Sequence, residues 1–254
     1  HFIFSKKILN RKSISQVVLY PQIGLTYNRI RKSANSSVLM YLADELKSLN
    51  HPPLHHSESE YDDAEYKIQS MDYCNKLKTL TSIQNIKQVK NYYWFTVVRN
   101  PYARVLSAFL DKGLRGKHGN EKYNSVPGFN LQDKHGFGLF IRYLEEGGLF
   151  ADKHWWPQTS LLYLNPEDFD YIARVENLST DLANIFANIH LEVKDKSKFS
   201  RPHSANFEGN LTTNTSMVTN ASKLLDEFYT PDLYHRVYQL YENDFIKLNY
   251  ARES

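Results

Sequence analysis

Two short stretches combine fixed positive charge with small or hydroxyl side chains, a combination suited to holding a phosphate or sulfate group. The first runs Arg31-Lys32-Ser33-Ala34-Asn35-Ser36-Ser37. Its small residues let backbone N–H groups close around an anion, and Lys32 adds a point charge. It is not a Walker loop, because the Gly-x-x-x-x-Gly-Lys-Ser/Thr pattern is absent. The second runs Arg99-Asn100-Pro101-Tyr102-Ala103-Arg104-Val105-Leu106-Ser107. Arg99 ends a strand, Arg104 and Ser107 share the polar face of the helix that leaves it, and an arginine fork with a serine hydroxyl one to two turns away suits a phosphate monoester. Taken singly, each turn also reads as an ordinary capped helix with solvated cations; together they point to a small anionic ligand. A third stretch, Asp152-Lys153-His154-Trp155-Trp156-Pro157-Gln158, sets a histidine beside two tryptophans, residue types found in ligand sites as well as in cores. Core packing is the alternative for His154 and Trp155. Glu176, at the end of an expected strand, orients a ligand or a base, or serves as a structural salt-bridge partner.

The elements that must position these residues follow from apolar patterning. Val17-Val18-Leu19-Tyr20 is an apolar approach, broken at Pro21 and Gly24 before a short strand from Leu25 to Ile30. Val38, Leu39, Leu42, Ala43 and Leu46 recur at helical spacing after a polar cap near Ser36 and Ser37. Residues 71–87 are weakly helical. Tyr92 to Val98 is a continuous β-favouring run of the kind buried on both faces of a sheet. Asn100 then suits an N-cap and Pro101 the first helical position, with Tyr102, Val105, Leu106, Phe109 and Leu110 as one apolar stripe. Residues 113–137 read as loop, and a helix starts at Phe137. A strand at Tyr171–Val175 leads into a helix with Leu178, Leu182, Ile185, Phe186 and Ile189 on its buried side. A last helix runs from about Pro231 to Leu248. Strands alternating with helices predict an α/β domain with a mainly parallel sheet.

Composition narrows the function classes. The 254 residues are 41% hydrophobic and 14% aromatic, enough for a sizeable core and incompatible with disorder as the main state. A single domain spanning residues 1–254 is expected, with 1–16 peripheral and 197–222 a long surface loop. The net charge of +3 is too small for a nucleic-acid coat, so no nucleic-acid partner is expected. One cysteine, Cys74, excludes an intrachain disulfide and a cysteine-rich zinc site and favours a reducing compartment. No apolar run approaches the roughly 18 residues of a transmembrane helix. A cytoplasmic location is expected. Because the chain begins with His1 rather than Met, the alternative is a Golgi-lumenal fragment whose upstream anchor has been removed.

With these residues in view, the pair of turns resembles the two cosubstrate-binding motifs of sulfotransferases that use 3'-phosphoadenosine 5'-phosphosulfate (PAPS). The first turn is similar to the 5'-phosphosulfate loop, with Arg31 where the family commonly has Pro. The second matches Arg-Asp/Asn-Pro-x-x-Arg-x-x-Ser at every defined position. The segment around His154-Trp155, then Phe169-Asp170-Tyr171-Ile172, the strand before Glu176, and Tyr241-Glu242-Asn243-Asp244-Phe245 resemble the carbohydrate branch of that superfamily. Cysteines that commonly follow the His-Trp segment in animal members are replaced by Leu161-Leu162-Tyr163-Leu164-Asn165, which suggests a bacterial, cytosolic relative.

The resemblance implies a P-loop NTPase-like, three-layer α/β/α fold and transfer of a sulfuryl group from PAPS to a hydroxyl of a carbohydrate or glycoconjugate, without a metal. It implies that Lys32 stabilises charge on the leaving oxygen while Arg31 and the residues Ser33, Ala34, Asn35, Ser36 and Ser37 hold the 5' end. Arg99 and Ser107 would grip the 3'-phosphate, with Arg201 in a loop over the nucleotide. His154 would be the base, and Trp155, Trp156 and Glu176 would meet the acceptor. Two rivals remain: a nucleotide-dependent kinase, which needs a Walker lysine and an acidic Mg²⁺ ligand that the sequence does not offer, and a non-catalytic sugar- or nucleotide-binding module built on Trp155 and Trp156.

Overall fold

The computed structural model describes residues 17–20, 23–48, 89, 91–117, 121–189 and 220–252. In chain order its main elements are β1 (Val17–Tyr20), β2 (Leu25–Asn28), α1 (Asn35–Ser48), β3 (Tyr93–Val98), α2 (Pro101–Lys117), α3 (Glu121–Asn124), α4 (Lys134–Glu145), β4 (Tyr171–Arg174), α5 (Leu178–Asn188), α6 (Leu225–Phe228) and α7 (Pro231–Lys247). They fall into two compact units interleaved in sequence. A sheet unit takes the residues up to Arg29, Ala34–Val97 and Tyr163–Glu208; a helical unit takes Ile30–Ser33, Val98–Leu162 and Gly209–Ser254. The expected helix at 71–87, the segment 1–16, Cys74, and residues 197–219 with Arg201 lie outside the described residues.

In the sheet unit the strand order is β1-β2-β3-β4. β2 and β3 run parallel, with Leu25 opposite Tyr93 and Asn28 opposite Thr96, so both strands finish at the same end of the sheet. β1, read from sequence as an approach segment, is a strand antiparallel to β2, with Tyr20 opposite Leu25. The sheet is therefore mixed, with the antiparallel β1 at its edge. Gly24 explains the reversal: its φ of 59° lies in the left-handed region that a glycine reaches without Cβ strain. Val18, Tyr20, Leu25 and Tyr27 pack with Val38, Leu39 and Leu42 of α1 and Leu182, Ile185 and Phe186 of α5. Each such side chain contributes about 1.5–3 kcal/mol of hydrophobic stabilisation. Two buried polar side chains bridge neighbouring segments here: Thr96 donates its hydroxyl to the Asn28 carbonyl at 2.9 Å, and Asn28 Oδ1 accepts the Tyr163 N–H at 2.7 Å.

The helical unit is built on α2, α4 and α7 around an aromatic core that includes Tyr102, Phe109, Phe137, Phe140, Trp155, Tyr241 and Phe245. Phe109 of α2 meets Phe129, Phe137 and Phe140 with ring centroids 5.8, 5.3 and 5.7 Å apart. The loop expected at 113–137 is shorter than its composition suggested, because α2 continues to Lys117 and α4 starts at Lys134. Asp133 sets that start by accepting the Gly136 N–H at 2.7 Å. Gly128, at φ 83°, lies so close to this turn that a Cβ there would sit 1.9 Å from the Gly136 carbonyl oxygen. α7 begins where expected, with Pro231 in its first turn and Thr230 accepting the Leu233 N–H at 3.2 Å. Among the described residues, no helix is long and apolar enough to cross a membrane.

Candidate active site

The turn after β3 is assembled locally. Asn100 Oδ1 accepts the N–H groups of Tyr102 and Ala103 at 2.9 and 3.3 Å, and Pro101 opens α2 as the residue types predict. Arg99 and Ser107 are both buried there. Arg99 donates from Nη1 to the Lys32 carbonyl at 3.4 Å and from Nη2 to Ser222 Oγ at 3.0 Å. Arg104, expected with Ser107 on the polar face of the helix, is instead enclosed. It is 1% exposed, and its guanidinium donates to two backbone carbonyls, Arg31 at 2.9 Å and Trp156 at 2.7 Å. Its place on the inner face of α2 makes it a brace for the chain rather than an open anion receptor.

The turn after β2 is assembled from outside. Lys32 and Ala34 have φ values of 68° and 52°, in the left-handed region that costs an L-residue roughly 1–2 kcal/mol. Several contacts hold this backbone. Besides Arg99 and Arg104, the Ser33 hydroxyl donates to Gln158 Oε1 at 3.1 Å. Gln158, wholly buried, also accepts the Arg99 N–H at 2.9 Å and donates to the Arg99 carbonyl at 2.8 Å, so one amide ties the two turns together. The Lys32 ammonium lies 2.7 Å from Asp111 Oδ2, and Lys112 lies 2.9 Å from the same oxygen. Burial by itself would raise the Asp111 carboxyl, but the two ammonium groups hold it well below the usual carboxylate range. Asn35, Ser36 and Ser37 form the first turn of α1 in the sheet unit, where Asn35 Oδ1 accepts from Arg29 Nε at 3.0 Å.

The third segment brings His154 to the same network. Its Nδ1 lies 2.5 Å from Asp152 Oδ1 and its Nε2 lies 3.1 Å from Arg31 Nη1. Burial pushes the imidazole pKa down to about 4; Asp152 opposes this, while Lys112 and Arg31 add to it. His154 is therefore neutral at pH 7. Trp155, expected as a stacking platform, is instead a core residue at 1% exposure, surrounded by Tyr123, Phe129 and Phe140, with its indole N–H donating to the Gly148 carbonyl at 2.9 Å. Trp156 is partly exposed and meets the exposed Phe150 edge-on at 5.4 Å. Glu176 is exposed on the short helical turn Val175–Asn177 of the sheet unit.

Sequence reasoning missed four contributors: Asp111, Ser222, and the functions of Gln158 and Asp244. Asp244 accepts the N–H groups of Gln158 and Thr159 at 2.6 and 2.8 Å and the Thr159 hydroxyl at 2.8 Å. It reaches them from α7, whose helical geometry breaks at Tyr241. Burial drives the Asp244 carboxyl upward, with those hydrogen bonds and Arg104 acting against it. A signal for Asp111 was present, since it follows Ser107 by four residues and shares its helix face. Gln158 and Asp244 lie in segments already singled out by type, but their pairing across 86 residues leaves no local trace. Among the described residues, no group of three or more His, Cys, Asp or Glu side chains is arranged to hold a metal ion.

Residues 15–251 match the family model described as "Sulfotransferase family". No curated protein and no solved structure matches the chain.

Proposed function

The chain belongs to the PAPS-dependent sulfotransferase family, with the match covering most of its length, and we propose that it transfers a sulfuryl group from PAPS to a hydroxyl of a carbohydrate or glycoconjugate. One observation carries this reading: Arg99, 67 residues from Lys32, donates to the Lys32 carbonyl, and His154 lies against Arg31, the residue before Lys32. Sulfuryl transfer by in-line displacement asks a protein mainly for positioning and for neutralising charge on the leaving phosphate. In this reading the turn at residues 30–34 is the phosphosulfate loop of a P-loop-like α/β scaffold. Lys32 is the donor to the leaving oxygen, and Arg31 and Ser33 hold the 5' end. Removing one such donor lowers turnover by about 100- to 1,000-fold. Arg99 and Ser107 grip the 3'-phosphate. His154 accepts the proton of the attacking hydroxyl, and Trp156 offers the sugar an indole.

Calorimetric titration with 3'-phosphoadenosine 5'-phosphate tests this directly, with ATP and 5'-AMP as controls and no metal added. The expected result is a preference for the 3'-phosphorylated nucleotide that weakens by about 10- to 100-fold in Arg99→Ala, the loss of charge-assisted hydrogen bonds. Absence of binding, or a preference for ATP that appears only with Mg²⁺, overturns the reading in favour of a binding module or a kinase.

A further inference from the structure

We infer that Asp152 is a positioning residue for His154, holding its ring as the Nδ1–H tautomer so that the lone pair sits on Nε2. The inference deepens the reading of His154 as the proton acceptor and rests on it for its catalytic consequence, but the tautomer itself follows from contacts on both sides of the ring. An arginine has donors and no acceptor. Arg31 Nη1 lies 3.1 Å from Nε2, so Nε2 accepts. On the other side an ionised carboxylate has acceptors and no donor, and Asp152 Oδ1 lies 2.5 Å from Nδ1, so Nδ1 donates. The two partners demand the same tautomer.

Asp152 is itself held in place. Its Oδ1 also accepts the backbone N–H of His154 at 2.9 Å, which closes a small ring between carboxylate and main chain. Its other oxygen accepts the Tyr123 hydroxyl at 3.3 Å. The carboxylate is 5% exposed and the imidazole 14%, so water competes little for either. The charged and titratable groups around the ring are Asp152 from its own segment, Arg31 from the turn after β2 and Lys112 from α2, with Tyr123 of α3 behind Asp152.

This arrangement has a use in sulfuryl transfer. Nε2 has one lone pair, so Arg31 must turn from it to the 5' end of the cosubstrate; the acceptor hydroxyl then gives its proton to Nε2 while its oxygen forms the new bond to sulfur. The bond from sulfur to the 5'-phosphate oxygen breaks, and that electron pair leaves on the phosphate. His154 ends the step as an imidazolium, and the adjacent carboxylate stabilises the positive charge as it forms. Without Asp152 the ring keeps its chemistry but loses both its fixed tautomer and the charge that favours taking the proton.

Two measurements on the intact protein test the inference. Nitrogen-15 spectra of labelled histidine, with His154 identified by its disappearance in His154→Gln, are expected to show a protonated Nδ1 and an unprotonated Nε2 at pH 7. A predominant Nε2–H form overturns the inference, whatever the activity. The second measurement is steady-state kinetics of Asp152→Ala. It is expected to lower kcat by about 100-fold or more, with the KM for PAPS moved less than about 3-fold, and to shift the acid limb of kcat to lower pH because a group that raises the His154 pKa is gone. A residue that merely packs leaves the acid limb where it was, and unchanged kcat in a folded Asp152→Ala protein also overturns the inference. If that variant does not fold, Asp152→Asn keeps an acceptor oxygen and loses the charge; its expected kcat falls between wild type and about 100-fold down, and wild-type kcat counts against the inference. If the wild-type protein transfers no sulfuryl group, the functional reading fails, and the nitrogen-15 result alone still decides the place of Asp152.

Discussion

The turns that follow β2 and β3 carry similar chemistry and are built by opposite means. The second is set mainly by its own residues: Asn100 caps α2 and Pro101 opens it, with Gln158 adding a pair of bonds to the Arg99 backbone. The first has two L-residues, Lys32 and Ala34, in left-handed backbone. Its carbonyls at Arg31 and Lys32 accept from Arg104 and Arg99, and its serine meets Gln158. The locally determined turn thus supplies the side chains that hold the strained one. A lysine placed on strained backbone stays there only while the surroundings over-determine it. The proposed ligand of the 3'-phosphate, Arg99, is also part of the support for Lys32, so the two roles are linked through one side chain.

The sharpest way to break this comparison is Arg104→Ala. It removes the donor to the Arg31 and Trp156 carbonyls in a partly buried setting, at about 1–3 kcal/mol each at most. A loss of roughly 3 kcal/mol or more is expected in a denaturant melt, accompanied by loss of nucleotide binding. A melt indistinguishable from wild type means the first turn does not lean on the second. Asn100→Ala probes the local half and is expected to destabilise by about 1 kcal/mol, the usual worth of a cap. Its nucleotide affinity should change little; a loss of affinity well beyond the loss of stability points to a direct part for Asn100 in binding. The smallest effect is expected for Ala34→Gly. Glycine removes the left-handed cost but adds chain entropy to the unfolded state, so a gain of no more than about 1 kcal/mol follows. A fall in Tm instead shows that Ala34 does not adopt that backbone in solution.

The two arginines of the second turn show where reading by residue type stops. Arg99 and Arg104 have the same donors, and helical spacing places Arg104 beside Ser107 on a polar face. The structure puts Arg104 almost wholly inside, bonded to two backbone carbonyls, whereas Arg99 meets the Lys32 carbonyl and the Ser222 hydroxyl. The same divergence separates Trp155 from Trp156. Adjacent residues of one type face opposite environments: Trp155 is enclosed by aromatic rings, whereas Trp156 is partly exposed beside Phe150. The buried carboxylates differ in kind as well. Asp111 faces two ammonium groups and fixes charges, whereas Asp244 faces N–H groups and a hydroxyl and fixes a turn of backbone.

By itself the sequence determined the elements whose signals are local. The β-favouring run that becomes β3, the Asn100-Pro101 start of α2, the apolar stripe of α5 and the Pro231 start of α7 all appear where spacing and capping put them. It also singled out Lys32 and Arg99, as fixed charges in turns of small or hydroxyl residues, and His154 through the resemblance of its segment to the carbohydrate sulfotransferases. Only the tertiary structure decided that β1 pairs antiparallel with β2, that Arg104 braces the chain, that Trp155 belongs to the core and that Asp152 grips His154. It also decided that Gln158 joins Arg99 across 59 residues. The physical reason is common to these cases. Periodicity and capping report which face of an element is apolar and where it ends, whereas the partner of a buried polar group is set by what long-range packing brings opposite it.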